Sequence, residues 1–350
     1  MKQSITVKAP AVIKLFGEHA VVYGKLSVAV ALALYAETTI KEIEKDKFEI
    51  ELKDLNKRVE FTNNELEAIY DSYTKKESYD SFIKNQKVEK EILPYAVIAG
   101  KIRKLRNISL LNTKVIIKSD IPIQKGLASS AACSTSFTIA LLKYFNINIA
   151  DNEAIELARE GDKVIHKSDG AGRIDISTSY YGGYVSYSTE NGVKKEDINN
   201  AINLLLIDTG PKKSTAEMVG HVAELYKNNK EYIEGVFNEI EKCAKDGLKF
   251  LKEGNQAEVG RLLSKNHEYL SELGVSSDNL NKTVEIVRKS NGLGAKLSGG
   301  GGGGLAIALV NGNENTIINN LKQEGFNVFK APVSIDGAKT LIQYKTLSIG

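Results

Sequence analysis

The chain has no tryptophan, two cysteines, two methionines and five prolines in 350 residues. Two cysteines, Cys133 and Cys243, cannot build a disulfide framework or a cysteine zinc site, so a reducing cytoplasm is the expected compartment. No apolar run approaches the roughly 18 residues that span a bilayer. The opening residues, Met1 to Val7, alternate like a strand and lack the apolar centre of a signal peptide. Neither sign of charge prevails: 47 basic against 44 acidic residues leave +3. That balance argues against nucleic acid or a membrane as a charge-driven partner.

What is present reads as an ordinary globular chain, 42% apolar and 26% charged, long enough for one or two domains. Lys118 to Phe145 organises it. A polar turn and Ile121-Pro122 lead into Gly126-Leu127-Ala128-Ser129-Ser130-Ala131-Ala132, and an apolar helical pattern follows through Ile139, Leu141, Leu142 and Phe145. Small residues allow close backbone approach. The first turn of a helix has unpaired N–H groups and favours negative charge. The stretch therefore reads as a phosphate cradle, with Ser129 and Ser130 as extra donors. The same run would also suit a helix packed tightly on a neighbour. A Walker A loop is excluded: Gly24-Lys25-Leu26-Ser27 lacks the earlier glycine, where His19 stands.

The pattern along the chain is mixed. Short strands are expected at 4–8 and 12–16, at 27–34 with 38–40, and at 48–52, 59–61 and 112–119. Residues 64–90 are charged and read as helix and loop. Helices are expected at 92–105 and 152–167, the second opened by an Asn152 cap. Residues 187–197, with Asn191-Gly192 and a charge run, read as a linker. Beyond it come a strand at 202–208, helices at 214–228, 232–252, 255–270 and 279–290, and strands at 295–297, 305–309, 327–330 and 340–344, with a helix at 315–324.

Two more stretches give the cradle a context. One is Ala9-Pro10-Ala11-Val12-Ile13-Lys14-Leu15-Phe16-Gly17-Glu18-His19 through Gly24; the other is Gly294-Ala295-Lys296-Leu297-Ser298 with six glycines, Gly299 to Gly304. Together the three resemble, in order and spacing, the signature motifs of the GHMP small-molecule kinases, and in pattern the mevalonate kinases among them. Ile207-Asp208-Thr209-Gly210 with Ser214-Thr215, Gly260 to Leu263 and Leu273-Gly274-Val275 extend the likeness over most of the chain. It implies an α+β, two-domain GHMP kinase fold: an N-terminal domain like domain 2 of ribosomal protein S5, taken as 1–190, and a ferredoxin-like C-terminal domain, 191–350. It also implies ATP and Mg²⁺ as cofactors and mevalonate as substrate, and leaves a homodimer open.

Residue by residue, the resemblance makes Asp175 the base, in a loop running Gly172-Arg173-Ile174-Asp175 to Gly182-Gly183. Lys125, Gly126, Leu127, Ala128, Ser129, Ser130 and Ala131 would bind the nucleotide. Ser130 and Asp162 would hold magnesium. Glu18, His19, Thr178, Thr209 and Gly301 would meet substrate. Three departures stand out. The family lysine usually falls where Val12 stands; Lys14, two residues on along a strand, shares its face and could serve the same cleft. Gln124-Lys125-Gly126-Leu127-Ala128 replaces Gly-x-Gly-Leu-Gly, and Gly172-Arg173 replaces Pro-Ser or Pro-Thr. Lys125 and Arg173 would suit a substrate that already carries phosphate, so phosphomevalonate or sugar kinases stay open as alternatives. So does a ligand sensor without catalysis.

Overall fold

The computed structural model describes residues 4–122 and 125–341. Gln124 of the second motif and the end of the expected 340–344 strand lie outside them. The first part of the chain forms β1 (Ile5–Phe16), β2 (Ser27–Glu42), β3 (Phe48–Leu52), β4 (Lys57–Phe61), α1 (Asn63–Thr74), α2 (Tyr79–Asn85), α3 (Leu93–Arg106) and β5 (Thr113–Ser119). Next come α4 (Ser129–Tyr144), α5 (Asp151–His166), α6 (Arg173–Tyr181), β6 (Tyr184–Ser188) and β7 (Gly192–Glu196). The remainder is β8 (Leu204–Lys212), α7 (Thr215–Asn228), α8 (Lys230–Glu253), α9 (Gln256–Glu272), α10 (Asp278–Lys289), β9 (Gly294–Leu297), β10 (Gly303–Leu309), α11 (Glu314–Gln323), β11 (Asn327–Lys330) and β12 (Lys339–Leu341).

Two sheets result. The larger runs β12-β1-β2-β5-β3-β4, with β6 on the free length of β2 and β7 on β6. The smaller runs β11-β8-β10-β9, all antiparallel. Its strands appear in the order fourth, first, third, second, with helices after the first and third, which is the β-α-β-β-α-β ferredoxin-like pattern. Among the described residues no helix is long and apolar enough to cross a membrane.

The expected breaks at residues 9–11 and 35–37 do not interrupt the strands. β1 and β2 each run on, and the irregularities are register shifts between Pro10 and Ala11 and between Lys14 and Phe16. A proline lacks an N–H, so a bulge is where a strand tolerates it. The expected linker at 187–197 is instead the β6–β7 hairpin, closed by Gly192 at φ 67°. The expected cap Asn152 lies inside the first turn of α5, where its side chain accepts from Glu153 N; Ala150 holds the cap position. The chain enters the second sheet at Leu204 and returns to the first through β12, which pairs with β1. We therefore propose that the domain boundary lies between Glu196 and Leu204, with the last strand belonging to the first domain.

Alternation along β8 and β10 joins the halves. Leu204, Leu206, Leu305, Ile307 and Leu309 enter the same apolar core as Phe16 and Leu15 of β1 and Ala244 and Leu251 of α8. Their neighbours Leu205, Ile207, Ala306 and Ala308 face a second core with Val222 and Phe237. Gly247 of α8 leaves the notch that Phe16 fills; a β-carbon there would lie 2.4 Å from the ring. The sheets thus share buried side chains, which holds one against the other.

α4 lies at the centre, against β1, β2, α5 and α6. Small residues and continuous burial from Ala131 to Leu142 make it a core helix. Close approach recurs under the third motif. A β-carbon on Gly294 would sit 1.8 Å from Gly260 O of α9. Backbone cannot yield as a flexible side chain can. Gly294→Ala is expected to cost on the order of 2–3 kcal/mol by overpacking, read as a lower urea midpoint. An unchanged midpoint would contradict the contact.

Candidate active site

Three chain segments converge at the N-terminus of α4. Ala128, the residue before the helix, adopts the left-handed conformation (φ 50°) and makes no side-chain cap. Glycine favours that conformation, so Ala128 is strained where the family pattern has Gly. The first N–H groups of α4 therefore stay unclaimed by any side-chain cap, as an anion cradle requires. The segment before it is pinned from below: Val12 N donates to Leu127 O at 3.1 Å. The glycine run closes in from the other side, with Ser298 O 3.5 Å from where a β-carbon of Gly126 would be.

α6 brings up Asp175 in its first turn. Lys14 reaches across from β1, and its Nζ donates to both Asp175 oxygens at 2.6 and 2.7 Å. Val12, the usual lysine position, is buried in a small apolar cluster with Ala29 and Ile174. Lys14 and Asp175 side chains remain 19% and 21% exposed, open enough to meet a ligand. Burial alone would lower the Lys14 ammonium pKa; Asp175 first, then Glu18 and Asp162, hold it above its ordinary value. The ammonium stays charged beside the carboxylate.

Asp162, on α5, comes close to the same place. It is 1% exposed, and Oδ1 makes no hydrogen bond, although His166 Nε2 lies 3.5 Å away. Burial opposes its charge, but His166, Ser130 and Lys14 hold the carboxyl below the usual range. Ser130 Oγ is hydrogen-bonded to the same His166 nitrogen at 3.3 Å. A buried carboxylate oxygen without a partner beside a hydroxyl fits magnesium, which takes oxygen donors and keeps few from protein. Among the described residues no three His, Cys, Asp or Glu side chains gather around one point. Two protein donors, completed by phosphate and water, is the arrangement this set can make.

His166 was not singled out from sequence. Its signal is plain in hindsight: it follows Asp162 by four residues on one helix, so the two share a face.

Other expected contacts are redirected. Glu18 is 2% exposed and forms a buried ion pair with Lys296 of β9, which also donates to Leu297 O at 2.7 Å. Burial pulls the Lys296 ammonium pKa down against the attraction of Glu18. Glu18 thus holds the first motif to the third through Oε1, while its other oxygen, Oε2, is buried without a hydrogen-bond partner. Thr178 is buried in α6, with its hydroxyl donating to Ile174 O at 2.7 Å. Thr209 donates to Gly304 O at 3.0 Å and is 3% exposed. Gly301 owes its missing side chain to protein: a β-carbon would lie 2.0 Å from Val275 O. Ser214 is the N-cap of α7, accepting from Glu217 N. Lys125 pairs with Asp208 at 2.6 Å, and Arg173 with Glu156 at 3.1 Å.

His19 keeps a free side. Its Nε2 lies 3.0 Å from Gly300 O, and a carbonyl only accepts, so the proton belongs on Nε2. Burial, with Lys14, His221 and Lys296 nearby, pushes its pKa down to about 4 despite that bond. The neutral ring leaves Nδ1 as an acceptor.

Lys296→Met tests the cross-motif pair. Removing one partner leaves Glu18 as a buried charge, at a cost of about 3–5 kcal/mol. Adding Glu18→Leu should restore most of that in a thermal or urea melt. If Lys296→Met alone unfolds no more easily than the parent, the pair is not structural.

Residues 93–183 match the family model for the GHMP kinases N terminal domain, and 248–327 the one for GHMP kinases C terminal. A curated relative, mevalonate kinase of Methanocaldococcus jannaschii, is 32% identical over 92% of this chain and 97% of its own. The crystal structure of the Methanococcus jannaschii mevalonate kinase superposes with TM-score 0.79 at 29% identity, covering 95% of this chain and 98% of that one. Lactococcus lactis galactokinase complexed with galactose gives 0.74 at 19% identity over 97% and 96%, a likeness of fold alone. With both domain models matched and near-complete coverage of a relative above 30% identity, the chain belongs to the GHMP kinase family.

Proposed function

We propose that the protein transfers the terminal phosphoryl group of ATP to the primary hydroxyl of mevalonate. The observation that carries the chemistry is the Lys14–Asp175 pair beside the uncapped start of α4. The substrate comes from likeness: the relatives that match along nearly their whole length are mevalonate kinases.

Asp175 accepts the hydroxyl proton as the oxygen attacks. A carboxylate offers about four lone-pair sites, so the two bonds from Lys14 leave room for the substrate. Lys14 orients the carboxylate and counters charge that builds on the transferring group. The N–H groups at Ser129, Ser130 and Ala131 hold phosphate oxygens, aided by the helix dipole. Asp162 and Ser130 would hold Mg²⁺, which neutralises phosphate charge when bound. His19 Nδ1 accepts a hydrogen bond from a substrate hydroxyl. The chemistry is mainly positioning and charge, as phosphoryl transfer requires.

Two observations weigh against the alternatives. Lys125 and Arg173, the cations suited to a phosphorylated substrate, already pair with Asp208 and Glu156. The Lys14–Asp175 pair, held at 2.6 Å and still partly open to solvent, supports a catalytic site over a sensor.

ATP consumption against mevalonate, phosphomevalonate and galactose should show turnover with mevalonate. Asp175→Asn should fold and lose about 10²–10⁴ in kcat. Turnover within roughly tenfold of the parent would remove Asp175 as base. Consumption with galactose or phosphomevalonate but not mevalonate would overturn the substrate.

A further inference from the structure

The loop between α5 and α6 leads to the base, and its last three residues have almost no side chains with which to anchor it. Gly170, Ala171 and Gly172 make up its last part. A β-carbon on Gly170 would meet only Ser168 Oγ, at 3.8 Å. Gly172 is at φ 75° and packs against Asp162, so its position sets how α6 leaves the magnesium-side carboxylate. Asp175 follows three residues later. The position of that loop therefore bears on where α6, and with it the base, begins.

Arg159 takes over the anchoring. It is 2% exposed, one of the largest fully buried side chains in the described residues. A buried guanidinium is costly unless its donors are met. Here Nε donates to Ala171 O at 3.2 Å and Nη2 to Asp169 O at 3.1 Å. Nη1 donates to Glu156 Oε2 at 2.5 Å. The other Glu156 oxygen, Oε1, accepts from Arg173 Nη1 at 3.1 Å. Arg173 is the first residue of α6. One guanidinium thus grips two loop carbonyls, and one carboxylate ties that guanidinium to the start of α6. The outer edge is latched as well: Tyr79 of α2 donates to Asp169 Oδ1 at 2.6 Å, and Lys76 lies 4.0 Å from the same atom.

Resting on the reading of Asp175 as base, we infer that Arg159 is a positioning residue for it, acting through the 169–172 loop and the Glu156–Arg173 bridge. Its donors go to the loop carbonyls and to Glu156. Its planar fork spans carbonyls two residues apart, which a lysine ammonium, a single point of charge, cannot do. Small displacements matter here, since about 1 Å at a reacting group can cost around 10²-fold in rate.

Arg159→Lys keeps charge and much of the volume but loses the fork. Glu156→Gln, on a side chain 43% exposed, loosens the grip without opening the core. Both are compared with the parent for kcat, for KM of ATP and mevalonate, and for melting temperature. Each is also made in the Asp175→Asn background. Arg159→Lys should lower kcat by about tenfold or more, with both KM values within about twofold, the split expected when only transition-state geometry suffers. Glu156→Gln should fall about two- to fivefold with the same split. In Asp175→Asn, where no base is left to position, Arg159→Lys should change residual turnover by less than about twofold. Equal losses in both backgrounds would overturn the inference, because Arg159 would then act through the fold. So would an Arg159→Lys kcat within about twofold of the parent. If Asp175→Asn itself turns over like the parent, the base assignment fails first and the inference goes with it.

Discussion

The ion pair between Lys14 and Asp175 fixes the site. It joins the second-longest strand of the first sheet to the first turn of α6, and it does so at a place where neither partner is fully buried. A fully buried pair would be inert toward ligand, and a fully exposed one would be loose and screened. At about a fifth exposed, the carboxylate is held in one orientation and remains reachable. The other charges are arranged around it. Asp162 lies close enough to help hold Lys14 protonated, and Lys14 in turn helps keep Asp162 ionised.

Packing explains why that pair can stay in register. α4 is built of small residues, so β1, α5 and α6 all approach it closely, as where a β-carbon on Gly161 would lie 2.7 Å from Ser134 Oγ. The first and third motifs are bound to each other by the buried Glu18–Lys296 pair and by His19 on Gly300. The apolar core passes without a break from the first sheet into α8 and β10. The cleft is thus walled by one continuous packed body, which suits a reaction that depends on alignment more than on covalent help.

Much of this was legible in the sequence. The three glycine-rich motifs marked the cleft, and strand periodicity put Lys14 on the face of the missing family lysine; the structure sets it on Asp175 while Val12 turns to Ile174 and Ala29. The β-α-β-β-α-β order of the second sheet also follows from the element sequence. What was hidden were long-range pairings. Nothing local to Glu18 says that a lysine from the third motif will neutralise it, although a lysine inside the apolar strand Gly294–Leu297 is itself a signal that a buried partner exists. Thr178 and Gly301 were expected at substrate through the family resemblance; in the fold the Thr178 hydroxyl donates to Ile174 O, and a β-carbon on Gly301 would meet Val275 O. Arg159 and His166 sit at helix spacings from Glu156 and Asp162, yet which of many such pairs shapes a site depends on a loop whose path only the fold defines.

The most direct test is a double-mutant cycle on Lys14 and Asp175, read by single-turnover phosphoryl transfer to mevalonate. Lys14→Met alone should slow the transfer by roughly 10². If the lysine works through the aspartate, the same change made in Asp175→Asn should cost less than about tenfold, leaving a coupling of at least about 1.4 kcal/mol. Equal slowing in both backgrounds would contradict the account, because the two groups would then act independently and the ion pair would not be what sets the site.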